Sequence, residues 1–330
     1  MRTLPQAEPH LTESQAEEVF GALLDGEASE EEIARFLTDL SDRGETADEI
    51  AGAAKALRAR LIPVAAPSHS IDVCGTGGDG HHTLNVSTAV SLVVAASGVP
   101  VAKHGNRAAS SKAGAADTLE ALGLDMEAAG RTAEKSLAEL GIGFLFAANH
   151  HPAMRRIQPI RQRLARRTIF NLMGPLCNPA GVRRQLIGIA RPAYVPIYAE
   201  AKARLGSERT LIVSGDEGLD ELSLAGGNEV ADVQGNAWEM RRARASDAGL
   251  PTAPIEAIRG GDAAHNAKAL KALLMGAPGP YRDAVLFNAG AALMIAGRAA
   301  DYTEGAVLAA EALDSGGAEA LLTRWIELAR

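Results

Sequence analysis

A run of glycines, Cys74-Gly-Thr-Gly-Gly-Asp-Gly80, follows a short apolar segment ending at Val73. Loops of this kind let backbone N–H groups converge on an anion, and the start of the next helix adds partial positive charge. Thr83, Asn85, Ser87 and Thr88 come next, short hydroxyl or amide side chains at the opening of that helix. A second donor-rich turn, Lys103-His-Gly-Asn-Arg-Ala-Ala-Ser-Ser-Lys112, supplies three cations and two hydroxyls. From Gly80 to Ala116, 37 positions, no Asp or Glu occurs, although 41 acids in 330 residues would ordinarily place four or five there. Two successive loops, both donor-rich and acid-free, describe a site for a multiply phosphorylated ligand.

Other phosphate chemistries are excluded by what the loops lack. Gly75, Gly77 and Gly80 satisfy G-x-G-x-x-G, but a dinucleotide fold needs an acid about 20 residues on to hold a ribose, and none is present. The Walker pattern and the kinase set of motifs are absent. So is the ordinary phosphoribosyltransferase fingerprint of a strand ending in two acids. Cys74 and Cys177 make neither a disulfide framework nor a zinc cage. A net charge of −8 has the wrong sign for a nonspecific nucleic-acid binder. The N-terminus lacks an apolar signal region, and the most apolar stretch, Val86–Ala102, is interrupted by Ser, Thr, Gly and Pro, so no membrane span and a cytoplasmic location are expected.

The elements that position these loops follow from periodicity and punctuation. Thr12/Gln15, Ser29/Glu32 and Thr46/Glu49 read as three capping boxes, each opening an amphipathic run, and Gly26 and Gly44 stand where the first two helices should end. A small helical bundle is predicted over residues 1–66. Beyond the Pro-rich stretch 62–70, strands are predicted at Ser70–Val73, Val99–Lys103, Gly143–Phe146 and Arg209–Ser214. Helices alternate with them at Thr88–Ser97, Ala115–Leu122 and Val195–Leu205. This is an α/β pattern, with a mostly parallel central sheet flanked by helices. Three further helices are expected at Asn266–Leu274, Arg282–Ala296 and Tyr302–Leu313.

Two further features bear on chemistry. Asp220-Glu221 follows the strand Arg209–Ser214 and the turn Gly215–Gly218, which puts an acidic pair outside a strand's C-terminal end, where α/β sites lie. Ala153–Arg167 holds six arginines and no acid, and for most of them a solvated helix face is the ordinary reading.

The motifs Gly75-Thr-Gly-Gly-Asp79, Asn85-Val-Ser-Thr88 and Lys103-His-Gly-Asn-Arg107 closely resemble those of the anthranilate phosphoribosyltransferases of tryptophan biosynthesis. The resemblance continues in the same order through His151-Pro-Ala-Met154, Arg167-Thr-Ile-Phe-Asn-Leu-Met-Gly-Pro-Leu-Cys-Asn-Pro179, Gly218-Leu-Asp-Glu221 and Gly260-Gly-Asp-Ala263. Pyrimidine nucleoside phosphorylases share the first glycine loop and the Lys-His pair. Here Asn106-Arg107 followed by Ser110-Ser111-Lys112 favours the transferase.

The resemblance implies a helical dimerisation domain, residues 1–66 joined by helices from about 153–180, and an α/β domain over 67–330. It implies a homodimer acting on phosphoribosyl pyrophosphate (PRPP) and anthranilate with two Mg²⁺ ions per subunit, pyrophosphate being displaced by the amine. It places Gly75, Gly78, Asp79 and Thr83 at the donor, with Asn85, Val86, Ser87 and Thr88 around its phosphates. From the second loop it adds Lys103, His104, Gly105, Asn106, Arg107, Ala108, Ala109, Ser110 and Ser111. Ala115 stands where Ser is common, so one hydroxyl contact to the donor is lost or replaced by a backbone contact. Ser87, Asp220 and Glu221 are implied as Mg²⁺ ligands, and Gly75, Asn106 and Arg161 as the anthranilate site; His104 and His151 are candidates for the acceptor channel. No acid or base is implied, because a neutral arylamine already carries a free lone pair. The alternatives are a nucleoside phosphorylase of the same fold, and a non-catalytic relative that binds nucleic acid through its basic face.

Overall fold

The computed structural model describes residues 3–107 and 112–330. The chain opens with three helices, α1 (Glu13–Asp25), α2 (Glu30–Arg43) and α3 (Ala47–Arg58). Thr12 and Thr46 make full reciprocal capping boxes, whereas Ser29 makes only the forward bond, from Glu32 N–H. Gly26 closes α1 in the left-handed region at φ +78°.

Next come β1 (Ile71–Gly75), α4 (Val86–Ala96), β2 (Val101–Gly105), α5 (Ala115–Ala121), α6 (Met126–Arg131), α7 (Ala133–Leu140) and β3 (Ile142–Phe146). After α8 (Ala147–His150) the arginine-rich segment forms α9 (Met154–Leu164), and the turn-rich stretch after it holds the one-turn α10 (Met173–Leu176). Then follow β4 (Arg184–Gly188), α11 (Val195–Arg204), β5 (Arg209–Gly215) and the hairpin β6 (Gly227–Gln234) and β7 (Ala237–Arg244). Helices α12 (Ala263–Leu274), α13 (Pro280–Ile295), α14 (Tyr302–Asp314) and α15 (Gly317–Leu328) complete the chain.

The seven strands form one sheet in the order β3-β2-β1-β4-β5-β6-β7. The first five are parallel; β6 and β7 add antiparallel. Side chains alternate across the sheet with period two, and that alternation assigns its faces. Leu186, Leu211 and Val213 face α4 and the C-terminal helices, while Ile187 and Ile212 face the opposite way, into a core shared with the N-terminal bundle. That second core joins Phe20 and Phe36 of the bundle to Phe170, Ile157, Ile160 and Tyr198; Phe20 meets both phenylalanines edge to face at 5.8 and 5.9 Å. The bundle is thus packed on the sheet through α9, α10 and α11.

β4, the β6–β7 hairpin and α15 carried no signal among the sequence expectations. β4 is only five residues and begins Arg-Gln; β7 reads Ala-Trp-Glu-Met-Arg-Arg-Ala-Arg, mostly helix formers. Pairing with β5 and β6 overrides that preference.

Candidate active site

Strands β2 and β1 lie on one side of the β1–β4 junction and β5 on the other, so the sheet order reverses there. In such sheets the crevice outside the strand C-termini receives the ligand. Gly75 and Gly188 are paired partners at that junction, and both must be glycine for a physical reason. Asp220 lies directly over them. A Cβ on Gly188 would fall 1.6 Å from the Asp220 carbonyl oxygen, and one on Gly75 would fall 2.1 Å from its carboxylate.

The acidic pair and the two loops converge on this point. Gly77 N–H donates to Asp220 Oδ2 at 2.7 Å, and Ser87 N–H, in the first turn of α4, donates to Glu221 Oε1 at 3.1 Å. Lys103 reaches in from β2, buried, with Nζ donating to Val73 C=O at 2.7 Å and Ser87 Oγ at 3.2 Å. Asp79 accepts from His81 N–H and stands beside Asp220.

Burial is the first cause holding the Asp220 and Glu221 carboxyls above their usual range, followed by repulsion from Asp79 at Asp220 and from Asp220 at Glu221. Lys103 opposes this at Glu221. Close, desolvated acids beside a hydroxyl fit a divalent cation, whose charge would relieve both terms. Among the described residues no three His, Cys, Asp or Glu side chains make a complete cage. Mg²⁺ is ordinarily held by one or two carboxylates together with substrate phosphates. The Asp220–Glu221 pair therefore fits such an ion, and the Ser87 hydroxyl offers a ligand to a second.

Other candidates are placed less directly. Thr88 Oγ1 is buried at the start of α4 and has no hydrogen-bond partner among the described residues, and Val86 is buried beside it. Asn85 spends its side chain on structure, accepting from Thr118 Oγ1 and Asn266 Nδ2 and donating to Ala113 C=O. Thr83 is bridged to Arg259, next to Gly260. Arg107 turns away from the glycine loop and pairs with Asp117 and Glu120. Gly105 ends β2, Ala115 opens α5, and Ala108, Ala109, Ser110 and Ser111 lie outside the described residues.

Beside the loops, and walled by the helical segments, is a cavity of about 560 Å³ lined by Leu57, His104, Asn106, His151, Met154, Phe170, Met173 and Arg161. Its wall is largely apolar and carries no acid. His104 belongs here rather than to the phosphate loops: its Nδ1 lies 2.9 Å from Gly174 C=O and its Nε2 3.2 Å from His151 Nε2. A carbonyl only accepts, so Nδ1 of His104 carries the proton and Nε2 accepts from His151. Burial pushes the two imidazoles down to about 4 and about 3, so both are neutral. Gly75 does not line the cavity.

The six arginines of 153–167 separate by environment. Arg163 and Arg166 make exposed ion pairs with Glu30 and Asp42 of α2. Arg156 lies over Gly26, and Arg167 binds the glycine loop. Arg155 and Arg161 line the cavity. Arg161 is half-buried, has only Asn171 Oδ1 at 3.4 Å, and meets no carboxylate among the described residues. Desolvation depresses its pKa. Sequence reasoning missed Gly188 and the Arg167 contact, whose partners are far away in the chain; the apolar cavity wall also had no local signature.

Comparison with known proteins agrees over the whole length. The glycosyl transferase family α/β domain matches residues 67–319, and the helical bundle domain of the same family matches 5–61. The chain is 78% identical over 329 residues to the anthranilate phosphoribosyltransferase of Erythrobacter litoralis, covering 100% of both. It is 70% identical to that of Novosphingobium aromaticivorans, covering 99% of both. Among solved structures it resembles the Thermus thermophilus enzyme (46% identity, TM-score 0.92, covering 97% of this chain and 96% of that one). It also resembles the Saccharomyces cerevisiae enzyme in complex with PRPP and Mg (29% identity, TM-score 0.87, covering 97% and 94%). These likenesses favour the transferase over a nucleoside phosphorylase or a nucleic-acid-binding relative. Matched over both of its parts and along its whole length, the chain belongs to the anthranilate phosphoribosyltransferase family of glycosyl transferases.

Proposed function

We propose that the protein transfers the 5-phosphoribosyl group from PRPP to the amine of anthranilate, releasing pyrophosphate, as a step of tryptophan biosynthesis. The observation that carries this reading is the junction of two unlike sites: a donor-rich loop crevice with buried acids, opening beside an acid-free apolar cavity that holds Arg161. One site suits a phosphorylated sugar and the other a flat aromatic carboxylate. The solved yeast relatives, described as complexes with PRPP and Mg and with 4-fluoroanthranilate, support the pairing.

In the reaction the amine lone pair forms a bond to ribose C1 as the bond to pyrophosphate breaks, the leaving oxygen takes the electron pair, and the nitrogen then gives up one proton to solvent. Positive charge develops on the sugar and negative charge on the leaving group, so positioning and charge stabilisation suffice. The glycine loop and α4 would hold the donor, with Gly75, Gly78, Asp79, Thr83 and the first turn from Asn85 to Thr88 along it. Lys103 would face its phosphates, together with the second loop. Arg161 would fork the anthranilate carboxylate while Asn106, His104 and His151 orient the ring. Two Mg²⁺ ions per subunit, one held by Ser87 together with the pyrophosphate and a second by Asp220 and Glu221, would supply charge neutralisation of pyrophosphate.

A homodimer formed through the helical unit and a cytoplasmic location complete the proposal. No described helix is long and apolar enough to cross a membrane. The test is loss of anthranilate fluorescence on adding PRPP and Mg²⁺ to the purified protein. Folded protein that turns over neither substrate would overturn the reading.

A further inference from the structure

The Arg167 guanidinium is directed at the backbone of the glycine loop. Its Nη2 donates to Gly77 C=O at 3.0 Å and also to Gly78 C=O. The approach is so close that a Cβ on Gly78 would lie 2.5 Å from that nitrogen. The carbonyl of Arg167 in turn accepts from Ser41 Oγ of α2 at 3.0 Å, and Gly77 N–H donates to Asp220. One tie therefore runs from the helical bundle through Arg167 and the glycine loop to the acidic pair.

The loop needs such a restraint. Gly77, Gly78 and Gly80 have φ of +71°, +73° and +80°, and glycine there leaves the peptide planes free to turn. In a trans peptide the C=O and the following N–H point in opposite directions. Anchoring the carbonyls of Gly77 and Gly78 on Arg167 thus fixes the N–H groups of Gly78 and Asp79 on the opposite side. Among the described residues, neither of those N–H groups donates to a protein acceptor. Two aligned, unspent amides are what an anion-binding loop presents.

We infer that Arg167 is a positioning residue that orients the Gly78 and Asp79 amides toward the anionic donor. The inference rests on the transferase reading and names a residue that acts through the loop. Arg167→Ala and Arg167→Lys are compared with Arg166→Ala, whose guanidinium pairs with Asp42 at the surface. Calorimetry reads PRPP affinity without turnover, and steady-state assays separate the two KM values. Arg167→Ala should weaken PRPP by about tenfold or more, the scale of losing hydrogen bonds from a charged group. The KM for anthranilate should move by less than about twofold on that scale. Arg167→Lys should recover part of the donor affinity, and Arg166→Ala should match the parent.

Unchanged PRPP affinity in Arg167→Ala would overturn the inference. So would equal losses for both substrates accompanied by a lower Tm, which is the mark of a merely structural residue. If Arg167→Ala does not fold, Arg167→Lys decides alone, because donor affinity equal to the parent would refute the role. Absence of turnover in the parent would sink the transferase reading, while the calorimetric comparison would still judge Arg167.

Discussion

Truncating Arg161 isolates the carboxylate end of the acceptor cavity. The side chain is half-buried there, its one side-chain hydrogen bond among the described residues is the long 3.4 Å approach to Asn171, and desolvation already disfavours its charge. A bound carboxylate would supply what the folded protein withholds. A charge-assisted hydrogen bond contributes about 1.5–3 kcal/mol, so losing one should raise the KM for anthranilate about ten- to a hundredfold. The KM for PRPP should change little, since among the described residues Arg161 makes no hydrogen bond to either loop. Arg161→Lys should recover only part, because a point charge cannot reproduce the planar fork. Arg163→Ala is the control: its guanidinium is spent on Glu30, 2.8 Å away on α2, and exposed pairs contribute at most about 1 kcal/mol. Initial rates from anthranilate fluorescence, taken over both substrate concentrations, separate the two constants. An unchanged KM for anthranilate in Arg161→Ala would refute the assignment, and Arg155, the other arginine of the cavity, would take its place.

Asp220→Asn combined with Glu221→Gln should raise the Mg²⁺ concentration needed for half-maximal rate and depress turnover, since the charged ligands are gone; a magnesium titration checks this. Gly188→Ala should push the Asp220 backbone from its place over the strand ends, and a shift of that kind is on the scale of a hundredfold in rate. Normal kcat in folded Gly188→Ala protein would contradict the close approach. Lys202 is fully buried against Gln185, and burial depresses its pKa from 10.5 to about 7. Between those values the unfolded chain binds about one proton more than the folded one, so stability should rise with pH from about 7 to 10.5. Urea unfolding of Lys202→Met across that range should show a shallower rise.

What the amino-acid sequence determined by itself was local. Capping residues and the 3.6-residue period located α1 to α3, and short β-rich runs between glycines located β1, β2, β3 and β5, because each depends on neighbours a few positions away. The anion loops were legible for the same reason, since glycines, short donors and an absence of acids all fall within 37 consecutive positions. Matters settled between distant segments were not legible. Asn85 resembles a phosphate donor in sequence, yet Thr118 and Asn266 claim its side chain. Arg107 sits in a cationic loop, yet Asp117 and Glu120 draw it away. His104 follows Lys103 directly, but alternation along β2 turns the two side chains to opposite faces, one to Ser87 and the other to His151. Six arginines of equal standing in the chain became surface pairs, a loop anchor and a cavity lining. The folded segment meets α2, the glycine loop and the cavity at different points, and a side chain's role is set by the charge and room it meets there.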